Sequence, residues 1–249
     1  MQYGIAHLSM VPIRVAADDH AQMVSQLLYG DHFKIKEERK FFSKIEMAFD
    51  GFEGWVHNTQ LQKIDKAAFD ELCGNETILN LDFLTYATTS ESALIPLVLG
   101  SRLDSSVFLG HELEDLPPPP IWQKAHLVDT ALMYLNAPFL SGGTTPFGID
   151  APGFTQMVYR LNGKTLYRDI DRQATQGEAL SFIEESEPGD LAFFDDKEGV
   201  INHVGIILKD HHIIHASGCV RIDRIDHTGI FNRQLRTYTH NLRVIKKLA

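Results

Sequence analysis

"PFGIDAPGFTQMVYRLNG", residues 146–163, decides how the rest of this chain is read. A glycine-bearing loop and an aspartate run into an amphipathic helix predicted to begin at Ala151 or Pro152. Proline suits a first helical position because its missing N–H has no intrahelical partner there. Phe154, Met157, Val158 and Leu161 recur at helical spacing and mark the buried face. The stretch begins like the opening of an active site, with unpaired N–H groups at the helix start. Where a nucleophile would sit, it carries Ala151.

On the N-terminal side, "IWQKAHLVDTALMYLNAP" has apolar residues at helical spacing and is predicted as a helix ending near Pro138, followed by the glycine-rich loop "FLSGGTTPFG". Beyond residue 185 the hydrophobic period changes to two in "GDLAFFDD", "NHVGIILKD", "HHIIHASG", "VRIDRID" and "HNLRVIKKL". A helix pair followed by an antiparallel sheet is an α+β arrangement, assigned to residues 117–249. The polyproline run in "LEDLPPPP", residues 113–120, reads as a stiff spacer and a domain boundary.

Residues 1–65 read as short strands broken by turn chemistry. "HFKIKEE" and "FSKIEMAF" alternate cleanly, and "YGD" and "DGFEG" supply reversals, which predicts a small β-barrel. For residues 66–116, "KAAFDELCG" gives one or two helical turns, and "LNLDFLTYATT" with "LIPLVLGSRL" gives strands; the expectation is a second small β-rich, SH3-like unit, so that one or two small barrels precede the C-terminal domain.

Composition narrows the classes. With 249 residues, 44% hydrophobic and 22% charged, the chain has globular composition and length for two or three domains. A formal net charge of −10 argues against nucleic acid or an anionic membrane as partner. Cys73 and Cys219 are the only cysteines, too few for a disulfide framework. The start lacks the basic and apolar regions of a secretory signal, and no run of about 18 apolar residues occurs. The expected location is cytoplasmic if the N-terminus is native, or periplasmic or extracellular if a leader was removed.

Two histidines carry the chemical signal. His203 in "NHVGIIL" and His215 in "IIHASG" flank a reversal at "KDHH", so a hairpin would set them opposite each other to within one or two residues of register. Side chains on one face of such a pair lie about 5 Å apart, the spacing needed for a base and the group that orients it. A zinc reading of "HHIIH" is disfavoured, because His212 and His215 on a strand point to opposite faces. No metal and no cofactor are expected.

The ordered set "YLNAPFLSGG", "TPFGIDAPGFTQMVYRLNG", "LYRDIDRQATQGE", "EPGDLAFFDD" and "INHVGIILKDHHIIHASG" resembles the NlpC family of papain-like bacterial cell-wall cysteine peptidases over about residues 121–249. That family shows "WGG", "DCSGF", "RDxxxQ", "PGDLxFF", "HVGI" and "IHA" in this order, often after bacterial SH3-like barrels, which accords with the β-rich N-terminal half. The resemblance implies a cysteine whose thiolate is favoured by a helix N-terminus and a histidine that takes its proton. It implies His203 as base, His215 as orienter, and Asp150 next to the nucleophile position. Arg168 and Asp169 match a segment along the substrate groove, with Asp169 suited to an amine of the peptide. Tyr29 in "LLYGD" resembles an aromatic that the barrel lends to that groove.

This chain departs from the family pattern at several groove positions together. Ala151 replaces the cysteine, Ser141 the tryptophan of "WGG" and Pro152 the serine of "DCSGF", while Ile170 follows "RD" where relatives carry a smaller residue. Ser141, Ser217 and Cys219 read as turn or strand-end residues rather than substitute nucleophiles. The expectation is a catalytically inactive homologue that keeps the groove and binds a murein peptide or a protein partner. The alternatives are an active γ-D-glutamyl-diamino acid endopeptidase whose cysteine has been replaced at position 151, and an adaptor acting through its SH3-like part.

Overall fold

Alternation in "HFKIKEE" and "FSKIEM" becomes strand pairing in the computed structural model, which describes residues 2–248. Phe33 and Ile35 of one strand and Ile45 and Met47 of the next turn into a common core. Lys34 and Glu46 pair across the outer face at 3.1 Å. Seven antiparallel strands enclose this core in the order β3-β2-β6-β5-β4-β1-β7, an SH3-like barrel. They are β1 (Gln2–Ile5), β2 (Met10–Arg14), β3 (Met23–Leu28), β4 (His32–Glu38), β5 (Phe42–Met47), β6 (Glu53–His57) and β7 (Gln62–Ile64).

The chain divides into two compact units. The first runs to Ile121 and includes Ser141–Thr145; the second takes Trp122–Leu140 and everything from Pro146 onward. Residues 66–116 therefore fall in the barrel's unit. They form α1 (Lys66–Gly74), the hairpin β8 (Leu84–Thr88) with β9 (Leu94–Val98), and the turn-long α2 (Ser106–Leu109). Asp65 caps α1 by accepting a hydrogen bond from the Ala68 N–H at 2.8 Å. Tyr29, Ala87, Leu97 and Leu103 make a small second core there. Residues 141–145 are held to this unit by the Gln26 side chain, whose Oε1 accepts from the Thr144 N–H at 2.8 Å.

In the second unit, α3 (His126–Met133) is shorter than the periodicity predicts. Lys124 and Ala125 form a turn ahead of it instead of a helical turn, and Ala125 at its start offers no capping side chain. β10 (Thr144–Thr145) lies in the first unit's short segment; in the second, β11 (Gly148–Ile149) runs into α4 (Ala151–Leu161), which starts where the sequence places it. The turn-long α5 (Ile170–Gln173) leads into β12 (Glu178–Leu180), β13 (Leu191–Asp195), β14 (Ile201–Leu208), β15 (His212–Ser217), β16 (Cys219–Ile225), β17 (Gly229–Asn232) and β18 (Thr237–Lys247). The sheet order is β12-β18-β13-β14-β15-β16-β17, and β18 also pairs with β17, so the sheet curls back on itself. Its interior holds Ala192, Phe194, Ile207, Ile213 and Ile245, while α4 packs on β14 and β15. No helix among the described residues is long and apolar enough to cross a membrane.

Candidate active site

The start of α4 is fixed by Asp150. Its Oδ1 accepts from the Gly153 N–H at 2.8 Å as the helix cap, and its Oδ2 accepts from Arg168 Nη2 at 2.7 Å. Both side chains are largely buried, so the guanidinium balances a carboxylate that water scarcely reaches. Gln173 secures the same turn from α5. Its Nε2 donates to the Pro152 carbonyl at 3.2 Å, and its Oε1 accepts from Thr155 Oγ1 at 2.8 Å. Ala151 is the first helical residue and is buried. The helix dipole there favours an anion, and the methyl side chain supplies none.

On the sheet, Gly205 of β14 stands opposite His215 of β15. His203 is therefore displaced from His215 by two residues, a diagonal pair on one face. The glycine makes the pairing possible: a Cβ at position 205 would lie 2.9 Å from His215 Cβ and 2.8 Å from Ile213 Cδ1. His203 Nε2 and His215 Nδ1 are 2.8 Å apart, and His215 Nε2 lies 3.1 Å from Asp223 Oδ2 on β16. Arg221 grips the same carboxylate with Nε at 2.6 Å and Nη2 at 3.0 Å.

Burial works against charge on Asp223, yet hydrogen bonds from His215 and Arg221 prevail and hold its pKa below the ordinary carboxylate value. An ionised carboxylate only accepts, so His215 carries its proton on Nε2 and accepts at Nδ1 from His203 Nε2–H. The lone pair of His203 is then on Nδ1, ready to take a proton. Burial above all, reinforced by the imidazoles of His240 and His215, holds the pKa of His203 well below 6.5 and keeps the ring neutral.

His240 on β18 completes the cluster. Its ring stacks on His203 with centroids 4.0 Å apart and stands edge-on to His215 at 5.7 Å. Burial pushes its pKa down to about 4. His240 reaches the site because β18 pairs with β17 over Thr237–Asn241 and with β13 from Asn241 onward, with register irregularities in both ladders.

Of the positions singled out in sequence, Asp150, Ala151, Pro152 and Arg168 meet at the start of α4, and His203 with His215 forms the sheet-borne pair. Arg168 is turned inward onto Asp150, whereas Asp169 is exposed at the start of α5 and makes no capping bond. Tyr29 and Ser141 belong to the first unit. Tyr29 is buried there, its hydroxyl 3.0 Å from His111 Nδ1, and Ser141 is exposed. Asp223, Arg221, Gln173 and His240 were missed. Gln173 occupies the glutamine of the "RDxxxQ" pattern, and Asp223 with Arg221 follows the two-residue period out of "IIHASG", so three of the four carried a readable signal.

Comparison with known proteins places this geometry. The profile of the NlpC/P60 family matches residues 136–239, and that of the bacterial dipeptidyl-peptidase SH3 domain matches residues 13–61. A γ-D-glutamyl-L-lysine dipeptidyl-peptidase of Bacillus subtilis is 28% identical over 220 residues, spanning 77% of this chain and 71% of the relative. Dipeptidyl-peptidase 6 of Lysinibacillus sphaericus is 25% identical over 246 residues, spanning 84% and 85%. The crystal structure of an NlpC/P60 family protein from Bacillus cereus superposes with a TM-score of 0.79 at 19% identity over 98% of this chain and 99% of that one, which shows a shared fold. The α+β architecture, the order of motifs and these matches together establish that the chain carries an NlpC/P60 domain preceded by a bacterial SH3 domain.

Proposed function

We propose that this chain is a catalytically silent homologue of γ-D-glutamyl-L-diamino acid endopeptidases, which holds a murein stem peptide in its groove without cleaving it. The observation that carries the reading is Ala151 at the first position of α4. Acyl transfer by a thiolate needs an ionisable sulfur at that point, and a methyl group cannot attack a carbonyl. The bond class is supported by the B. subtilis relative, whose name specifies γ-D-glutamyl-L-lysine. Retention of His203, His215 and Asp150 supports a kept groove, and the exposed carboxylate of Asp169 suits the free amine of a stem peptide.

Calorimetric titration with L-Ala-γ-D-Glu-diaminopimelate tests the binding. One saturable site is expected, weakened at least fivefold by Asp169→Asn. Neither heat nor chemical-shift change at millimolar peptide would contradict the reading. The intact hydrogen-bond relay from His203 to Arg221 favours a second reading, in which alanine has taken the place of a working cysteine. Ready peptide turnover by Ala151→Cys would select it.

A further inference from the structure

We propose that His203, His215 and His240 form a site for one divalent transition-metal ion of the zinc class. The three imidazoles come from three strands, β14, β15 and β18, and a nitrogen from each lies within 4.8 Å of the others. Imidazole nitrogens alone suit borderline ions such as Zn²⁺, and disfavour Mg²⁺ and Ca²⁺, which require oxygen.

The nitrogen inventory fits. His215 turns Nε2 to Asp223 and leaves Nδ1 toward the cluster. A ligating histidine whose second nitrogen donates to a carboxylate is the usual way a protein orients an imidazole for a metal and raises its basicity. Asp223 is itself fixed by two bonds from Arg221. His240 places Nδ1 2.9 Å from Thr239 Oγ1, which leaves Nε2 for an ion. Phe194 packs against both His203 and His240, giving the site an apolar wall.

Binding requires two adjustments. Zinc–nitrogen bonds of about 2.0–2.1 Å at a tetrahedral centre set neighbouring ligand atoms roughly 3.3 Å apart, so the 2.8 Å contact between His203 and His215 opens slightly. His203 moves its proton from Nε2 to Nδ1 and presents Nε2 to the ion, with no net change in protonation. His240, half-buried and anchored at the ring by a hydroxyl, tilts out of its stack on His203. Three protein ligands leave a fourth position for water. The ion takes the nitrogen that His203 otherwise gives to His215, and the proposal is independent of whether a stem peptide binds.

The test is titration of the chelator-stripped full chain with ZnCl₂ by calorimetry, and with CoCl₂ by visible absorption, where nitrogen ligation in a low-coordinate site gives an intense d–d band. One ion per chain is expected. His240→Ala and His240→Gln should each weaken it at least tenfold, with Gln keeping a planar polar group so that a folded variant is available. Asp223→Asn should weaken it roughly 10–100-fold. His211→Ala and His212→Ala, which alter the last turn residue before β15 and the first residue of that strand, should leave it unchanged. No stoichiometric ion on the folded chain, an ion that survives both His240 variants, or an ion lost with His211 or His212 would overturn the assignment.

Discussion

Ala151 puts a methyl group at the positive end of the α4 dipole, so the local field favours an anion that the side chain cannot provide. Ala151→Cys is therefore expected to yield a thiol that reacts with iodoacetamide at neutral pH at least tenfold faster than Cys73 or Cys219, read by mass spectrometry of the three sites. Gly205 is constrained by closeness rather than by φ. Gly205→Ala should lower unfolding free energy by about 1–3 kcal/mol in urea, because the new Cβ collides with Ile213 and His215. His203 and His215 were legible in sequence, since a two-residue period and a short reversal fix a hairpin register to within two residues. His240 was not. Its placement depends on where β18 exchanges β17 for β13, and no local pattern encodes that switch.

At the scale of elements, α4 is pinned by the Arg168–Asp150 pair and by Gln173. Arg168→Ala removes the cation from a largely buried carboxylate that keeps the Gly153 N–H, and should cost about 1–3 kcal/mol in urea unfolding. The curled sheet carries a pH dependence of its own. Burial brings His240 to about 4 and keeps His203 well below 6.5, while the His215 imidazole and the Asp223–Arg221 ion pair line the rest of the cluster. The unfolded chain takes up protons below pH 6.5 that the folded rings refuse, so stability is full above that value and falls as pH drops toward 4. After allowance for the partial exposure of its ring, His240 contributes on the order of 1–2 kcal/mol to this fall. Thermal melts in EDTA should show a flatter slope in His240→Gln than in the parent. The start of α4 was readable from Asp150 and Pro152, one a cap and the other suited to a helix start. The length of α3 was not, because its apolar spacing runs on through residues that make turns at either end of the helix, and Ala125 at its start has no capping side chain. Residues 66–116 gave mixed signals for a physical reason: the short β8–β9 hairpin and α1 sit in one unit with the barrel, so neither needs the long regular pattern of an independent core.

For the molecule as a whole, each of the two units has its own hydrophobic cluster and one of the two tryptophans, Trp55 in the first and Trp122 in the second. Phe33→Ala in the barrel core should lower the transition reported by Trp55 by about 3–5 kcal/mol. Measured with Trp122→Phe and Trp55→Phe backgrounds, the Trp122 transition should move by less than about 0.5 kcal/mol, because each unit has a hydrophobic cluster of its own. A net charge of −10 agrees with a ligand that presents an amine and disagrees with a polyanion. What joins these scales is an NlpC/P60 domain with its histidine relay in place and no sulfur at the helix start. The decisive measurement is incubation of the unaltered chain with L-Ala-γ-D-Glu-diaminopimelate, followed by mass spectrometry. Intact tripeptide throughout is expected; release of free diaminopimelate at a rate proportional to protein concentration would contradict a silent site.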